Sequence, residues 1–150
     1  MVTTGHAGPE TPGFTGMAAG NERPSRWIEA TVRGMAKTLG PYTPAVRAGD
    51  FIFVSGQLGM VDGALVDGGV AGQTAQSVAN LAARLDEFGA SLTDIVKTTC
   101  FLIDMDTFAT FNEAYLAGLG SHRPARSTIA VRELPAGGQV EIEAVAYKPQ

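Results

Sequence analysis

The chain is 150 residues long, 45% apolar and 17% charged, the size and make-up of one globular domain and not of a disordered chain. Its apolar runs stop at four residues, as at 51–54, against the roughly 20 needed to span a bilayer, and 11 basic against 15 acidic residues give a net charge of −4, which argues against a nucleic-acid partner gathered by bulk electrostatics. One cysteine, Cys100, and two histidines, His6 and His122, exclude an intrachain disulfide framework and a Cys/His zinc cluster, and fit a reducing cytoplasm.

Residues 1–24 hold five Gly and three Pro with no apolar periodicity, and read as a flexible tail ahead of a single domain over 25–150. They lack the basic-then-apolar order of a secretory signal. Residues 28–32 alternate weakly and suggest a first edge strand. Residues 46–47 and 51–55 flank the turn chemistry of Gly49-Asp50, which predicts a hairpin. Asp62-Gly63 and Asp67-Gly68-Gly69 then punctuate a looped stretch. Thr74, Val78, Leu81, Leu85 and Phe88 recur at helical spacing, with Gly89 placed to close the helix.

The β-branched run over 95–102 predicts a strand with Val96, Thr98, Cys100 and Leu102 on one face and Ile95, Lys97, Thr99 and Phe101 on the other. A second helix is expected from an N-cap at Asp104 or Asp106, carrying Phe108, Phe111, Tyr115 and Leu119 on one stripe and ending at Gly118 or Gly120. Residues 127–131 and 140–147 complete the strands, parted by a loop with Pro135, Gly137 and Gly138. The order strands, helix, strand, helix, two strands suggests an α+β sandwich with both helices on one face of a single sheet. In the last strand Val140, Ile142, Ala144 and Ala146 share one face, whereas Glu141, Glu143, Val145 and Tyr147 share the other. A helix-free face that mixes carboxylates with apolar bulk is neither solvent face nor core, and predicts an oligomer with the site near its interface.

The candidate chemistry is sparse. Arg126, in Pro124-Ala125-Arg126-Ser127, offers a planar fork that can grip a carboxylate or phosphate, although a solvated arginine would look the same. Glu141 can hold a water or exchange a proton, or pair with a cation. Tyr42 can present its hydroxyl to a ligand or plug a gap. Ser55-Gly56-Gln57 closes a strand with a glycine that permits close backbone approach, and it lacks the frame and histidine of a nucleophilic serine. Cys100 reads as an inert buried thiol, and Phe108, Phe111 and Tyr115 as core. The glycines between 56 and 72 match no phosphate loop and no dinucleotide fingerprint.

In this order Gly40-Pro41-Tyr42, Val54-Ser55-Gly56-Gln57, Gln76, Asn80, Asp94-Ile95-Val96-Lys97-Thr98, Phe111-Asn112-Glu113-Ala114-Tyr115, Pro124-Ala125-Arg126-Ser127 and Val140-Glu141-Ile142-Glu143-Ala144 resemble the signature of the Rid family, the reactive-intermediate deaminases also called YjgF. The resemblance spans residues 35 to 147. It implies a chorismate-mutase-like α+β fold in a homotrimer, its sheets forming a central barrel with sites in the clefts between subunits. It also implies cofactor-free, metal-free hydrolysis of enamines and imines such as 2-aminoacrylate to a 2-keto acid and ammonia. By the same resemblance Arg126 clamps the substrate carboxylate and Glu141 holds the attacking water, while Tyr42, Ser55 and Asn112 line the pocket. Thr128 stands where the best-known branch has a cysteine, and its hydroxyl can still bind a water. The loop over 117–123 looks shorter than in that branch. The same family suggests two other readings: a non-catalytic trimer that binds small carboxylic metabolites, which Arg126 would also suit, and an RNA-cleaving enzyme, which the net charge of −4 opposes.

Overall fold

The computed structural model describes residues 40–150, so the expected tail at 1–24 and the edge strand at 28–32 lie outside the described residues. A five-stranded sheet has the order β1-β2-β7-β5-β6, formed by β1 (Ala45–Ala48), β2 (Phe51–Leu58), β5 (Ile95–Leu102), β6 (Ala125–Ala130) and β7 (Val140–Tyr147). Helices α1 (Gly69–Asp86) and α2 (Phe108–Leu119) cover one face, the α+β arrangement expected from the element order. The last strand enters the middle of the sheet, antiparallel to both β2 and β5, whereas β5 and β6 run parallel and are joined through α2.

The local chemistry behaves as the residues dictate. The hairpin closes at Gly49-Asp50, with Gly49 at φ 61° and Ala48 paired to Phe51. Helix α1 ends in a double-bonded glycine cap: the Gly89 N–H donates to Asp86 O and the Ala90 N–H to Leu85 O, both at 3.0 Å. Asp104 caps the single turn that leads into α2, its carboxylate accepting from the Asp106 N–H at 2.8 Å, and Gly120, at φ 62°, follows the helix end. The core is built from Ile52 and Val54 of β2, Cys100 and Leu102 of β5, and Ile142, Ala144 and Ala146 of β7, with Leu81, Leu85, Phe111 and Tyr115 pressed down from the helices.

Three expectations need correction. The stretch after β2 is not simply looped. Met60–Val61 (β3) and Ala64–Leu65 (β4) form a small hairpin whose turn residues Asp62 and Gly63 both have positive φ, the conformation that suits a two-residue hairpin loop. Ser55-Gly56-Gln57 does not end its strand: β2 runs on to Leu58, and Ser55 and Gly56 form a bulge between the Val54–Ala144 and Gln57–Ile142 pairs. Val96 does not share the inner face with Thr98. A second bulge, between Ile95 and Lys97, turns Ile95 into the core and leaves Val96 exposed, because one extra residue reverses the alternation.

The face without helices carries Glu141, Glu143, Val145 and Tyr147 of β7, as their alternation predicts. Around them Phe51 is 44%, Phe53 49% and Tyr147 43% exposed, and the Phe51 and Tyr147 rings lie 5.2 Å apart. An apolar surface of this size beside two carboxylates is unusual for a face that water alone would cover.

Candidate active site

A cleft of about 400 Å³ opens between α2 and the beginning of β6, lined by Asn112, Tyr115, Leu116, Arg123, Pro124 and Arg126. Helical spacing puts Asn112, Tyr115 and Leu116 on one side of α2. The turn after Gly120 brings the other wall round. His122 anchors it, with Nε2 2.7 Å from Ile95 O, and Arg123 Nη1 donates to Gly120 O and His122 O. Helix α2 runs through Leu119 and stops at Gly120, one of its two expected ends, so only 120–123 of the expected loop over 117–123 lie outside the helix.

Arg126 points to the helix face, in register with Thr98 across the parallel β5–β6 pair. Its Cζ lies 4.8 Å from the Tyr115 ring centroid, 5.5 Å from Phe111 and 5.7 Å from Phe108. The side chain therefore lies over an aromatic floor, and among the described residues it has no carboxylate partner. A guanidinium supported by aromatic rings and free of an ion pair keeps N–H donors for an incoming anion.

Three buried polar atoms on this side of the sheet lack a hydrogen-bond partner of ordinary geometry among the described residues: Asn112 Oδ1 in the cleft, Thr128 Oγ1 on β6 and Ser77 Oγ on α1; the Thr128 hydroxyl does face the Cys100 thiol closely enough to act on it. Such atoms are rare in folded proteins and costly to leave unpaired; a small polar ligand or a water would satisfy them. Thr128 is two residues along β6 from Arg126 and paired with Cys100. The Cys100 thiol is fully buried, and burial pushes it up to about 11, so it stays neutral at ordinary pH and suits an inert role.

Glu141 sits elsewhere. It lies on the opposite, helix-free face of β7, paired with Leu58 on one side and Phe101 on the other. Burial, and secondarily the like charge of Glu143, push its carboxyl above the usual range. Its carboxylate occupies the space where Gly56 would carry a Cβ, which explains the glycine in the β2 bulge. Ser55, in the same bulge, donates its hydroxyl to Thr43 O at 2.7 Å, and Tyr42 is 46% exposed on the segment leading into β1.

The expected site residues therefore divide into two groups. Arg126, Asn112 and Thr128 lie toward the β6 edge on the helix face; Glu141 lies on the free face, with Ser55 and Tyr42 toward the β1–β2 edge. Two strand spacings, about 10 Å, and the thickness of the sheet separate Arg126 from Glu141. Arg123 and Leu116 carried no signal of their own in the sequence, Pro124 entered only as part of the Arg126 motif, and Tyr115 read as core. Tyr115 is buried, but it is also the ring closest to Arg126; its position three residues after Asn112 was the available signal.

Among the described residues no helix is long and apolar enough to cross a membrane. The family model described as Endoribonuclease L-PSP matches residues 34–148. The chain is 44% identical over 112 residues to a human protein named 2-iminobutanoate/2-iminopropanoate deaminase, covering 73% of this chain and 82% of that one. A RutC family protein of Pyrococcus abyssi is 43% identical over 114 residues, 75% of this chain and 90% of its own. Among solved structures, RidA from an Antarctic Psychrobacter superimposes with a TM-score of 0.71 at 35% identity, covering 81% of this chain and 97% of that one. The YjgF gene product of E. coli gives 0.67 at 38% identity, covering 73% and 90%.

Proposed function

The chain belongs to the endoribonuclease L-PSP family, the group that includes RidA and YjgF, and from that premise we propose that it is a deaminase that hydrolyses 2-imino acids and their enamine tautomers. The observation that carries this reading is the Arg126 fork on its aromatic floor, without an ion pair among the described residues, in the same cleft as the unpartnered Asn112 Oδ1.

The reaction suits such a site. An enamine takes a proton at its β-carbon to become the imine. Water then adds to the C=N carbon, the C–N bond breaks, and a 2-keto acid and ammonia leave. No step needs more than orientation, a placed water and a charge to match the carboxylate. Arg126 holds the carboxylate through two parallel hydrogen bonds. Asn112 Oδ1 accepts from the imine N–H, and Thr128 Oγ1 bonds the product oxygen or a water. Glu141, its basicity raised by burial, takes a proton from the attacking water.

Arg126 and Glu141 stand on opposite faces of one sheet, so this mechanism requires Glu141 from a second copy. The exposed Phe51, Phe53 and Tyr147 on Glu141's own face supply apolar area for that contact, which favours the homotrimer implied by the resemblance. The single buried Cys100 suits a reducing compartment such as the cytoplasm, while the name of one fission-yeast relative places that protein in the mitochondrion. The family model's name points instead to RNA cleavage; a net charge of −4 and a cleft sized for a small molecule favour the imino acid.

The test is a coupled assay in which an amino-acid oxidase generates 2-iminopropanoate and its loss is followed with and without the protein. Catalysis should speed the loss and release pyruvate and ammonia in equal amounts. If the imine disappears at the spontaneous rate while pyruvate still binds, the chain is a carboxylate-binding protein and not an enzyme.

A further inference from the structure

The geometry points to Tyr115 as a positioning residue that sets the angle of the Arg126 fork, an inference that rests on the carboxylate-clamp reading above. Arg126 is a long side chain with many rotamers. Nothing polar among the described residues fixes its head, so something else must define where the N–H edge points. Three rings lie under it, and Tyr115 is the nearest, at 4.8 Å from Cζ.

Tyr115 differs from the two phenylalanines in being tied to the sheet. Its phenol oxygen lies 2.7 Å from Thr98 Oγ1, a buried hydrogen bond, and Thr98 is the residue paired with Arg126 across β5 and β6. Sheet, phenol, ring and guanidinium thus form a closed triangle: β6 carries Arg126, β5 carries Thr98, and Thr98 fixes the ring that supports Arg126. Tyr115 and Thr98 are 3% and 1% exposed, so water does not compete for that bond. Burial also pushes the phenol above its usual range, so it remains a neutral hydrogen-bonding group while the clamp works. A phenylalanine would fill the same space without the tether.

The test measures the affinity for 2-oxobutanoate by calorimetry, together with KM and kcat on 2-iminopropanoate. Tyr115→Leu, which removes the ring, should weaken 2-oxobutanoate binding and raise KM about 3- to 30-fold, with a smaller change in kcat. Tyr115→Phe and Thr98→Val, which keep the ring but cut the tether, should fall between Tyr115→Leu and the parent chain. In an Arg126→Gln background Tyr115→Leu should cost less than about twofold, because the residue it acts through is gone. If Tyr115→Leu folds poorly, Thr98→Val still reads the tether alone, and a thermal melt reports the fold separately.

Equal penalties in the parent and Arg126→Gln backgrounds would assign Tyr115 to packing and overturn the inference. So would unchanged affinity in Tyr115→Leu, or failure of the parent chain to bind 2-oxobutanoate at all. Binding without turnover would overturn the deaminase reading and leave this inference standing, since the affinity arm needs no chemistry.

Discussion

Arg126→Lys should lower kcat/KM for 2-iminopropanoate about 10- to 150-fold while leaving the thermal midpoint near that of the parent chain. Lysine keeps the positive charge but replaces a planar fork with a point charge on a flexible stem. At least one charge-assisted hydrogen bond, about 1.5–3 kcal/mol, is lost, and with it the single orientation of the carboxylate. The fold should tolerate the change because Arg126 is only half-buried and has no ion pair among the described residues to break. Steady-state kinetics beside a melting curve check both halves. A variant as active as the parent chain would remove the clamp from the mechanism.

Glu141→Gln should reduce kcat about 10²- to 10⁴-fold, the span typical of a lost general base, with little change in affinity for a 2-keto acid. The amide keeps the shape over Gly56 and much of the hydrogen bonding, but it cannot take a proton. If KM alone rose, Glu141 would be a wall of the pocket and the water would fall to Thr128. The pH profile adds a second reading. Burial, then the Glu143 charge, hold the Glu141 proton more tightly in the folded chain than in the unfolded one. Only the ionised form is a base, so the acid limb of the rate should lie above the ordinary carboxylate range. Glu143→Gln, which removes the second cause, should move that limb to lower pH. The stability linkage runs the other way: with the folded pKa raised, the contribution of Glu141 is full below its unfolded pKa and is lost as pH rises through the folded value.

The fold was legible wherever periodicity and turn chemistry spoke together. The α1 stripe with Gly89 behind it, the Gly49-Asp50 hairpin and the split faces of β7 all appear where the residues put them. The bulge at Val96 was not legible, because its extra residue leaves no mark on local propensity and is fixed by what the partner strand presents; the one at Ser55-Gly56 left only the glycine as a sign, which does not say whether the strand bulges or ends there. The sheet order was hidden for the same reason, since no short-range signal says that the last strand enters the middle. Of the candidate site, Arg126 and Glu141 were singled out from their own surroundings in the sequence, and Asn112 only through the family resemblance. That Arg126 and Glu141 stand on opposite faces could emerge only from the pairing register. Tyr115 shows the limit of pattern reading: an aromatic on a helical stripe is core by periodicity, and its second task depends on Thr98 and Arg126 meeting it from two other strands.

The central claim is that one chain holds two halves of a site on opposite faces of its sheet, and that the chemistry joins halves from different copies. Mixing two inactive variants tests this most directly. Arg126→Ala chains retain Glu141, and Glu141→Gln chains retain Arg126, so unfolding the two together and refolding them as mixed oligomers creates some contacts where both groups are intact. The account predicts that 2-iminopropanoate hydrolysis returns in the mixture, well above the sum of the two variants refolded separately. A mixture no more active than that sum, with mixed oligomers shown to have formed, would mean that Arg126 and Glu141 must come from the same chain, and would contradict the account.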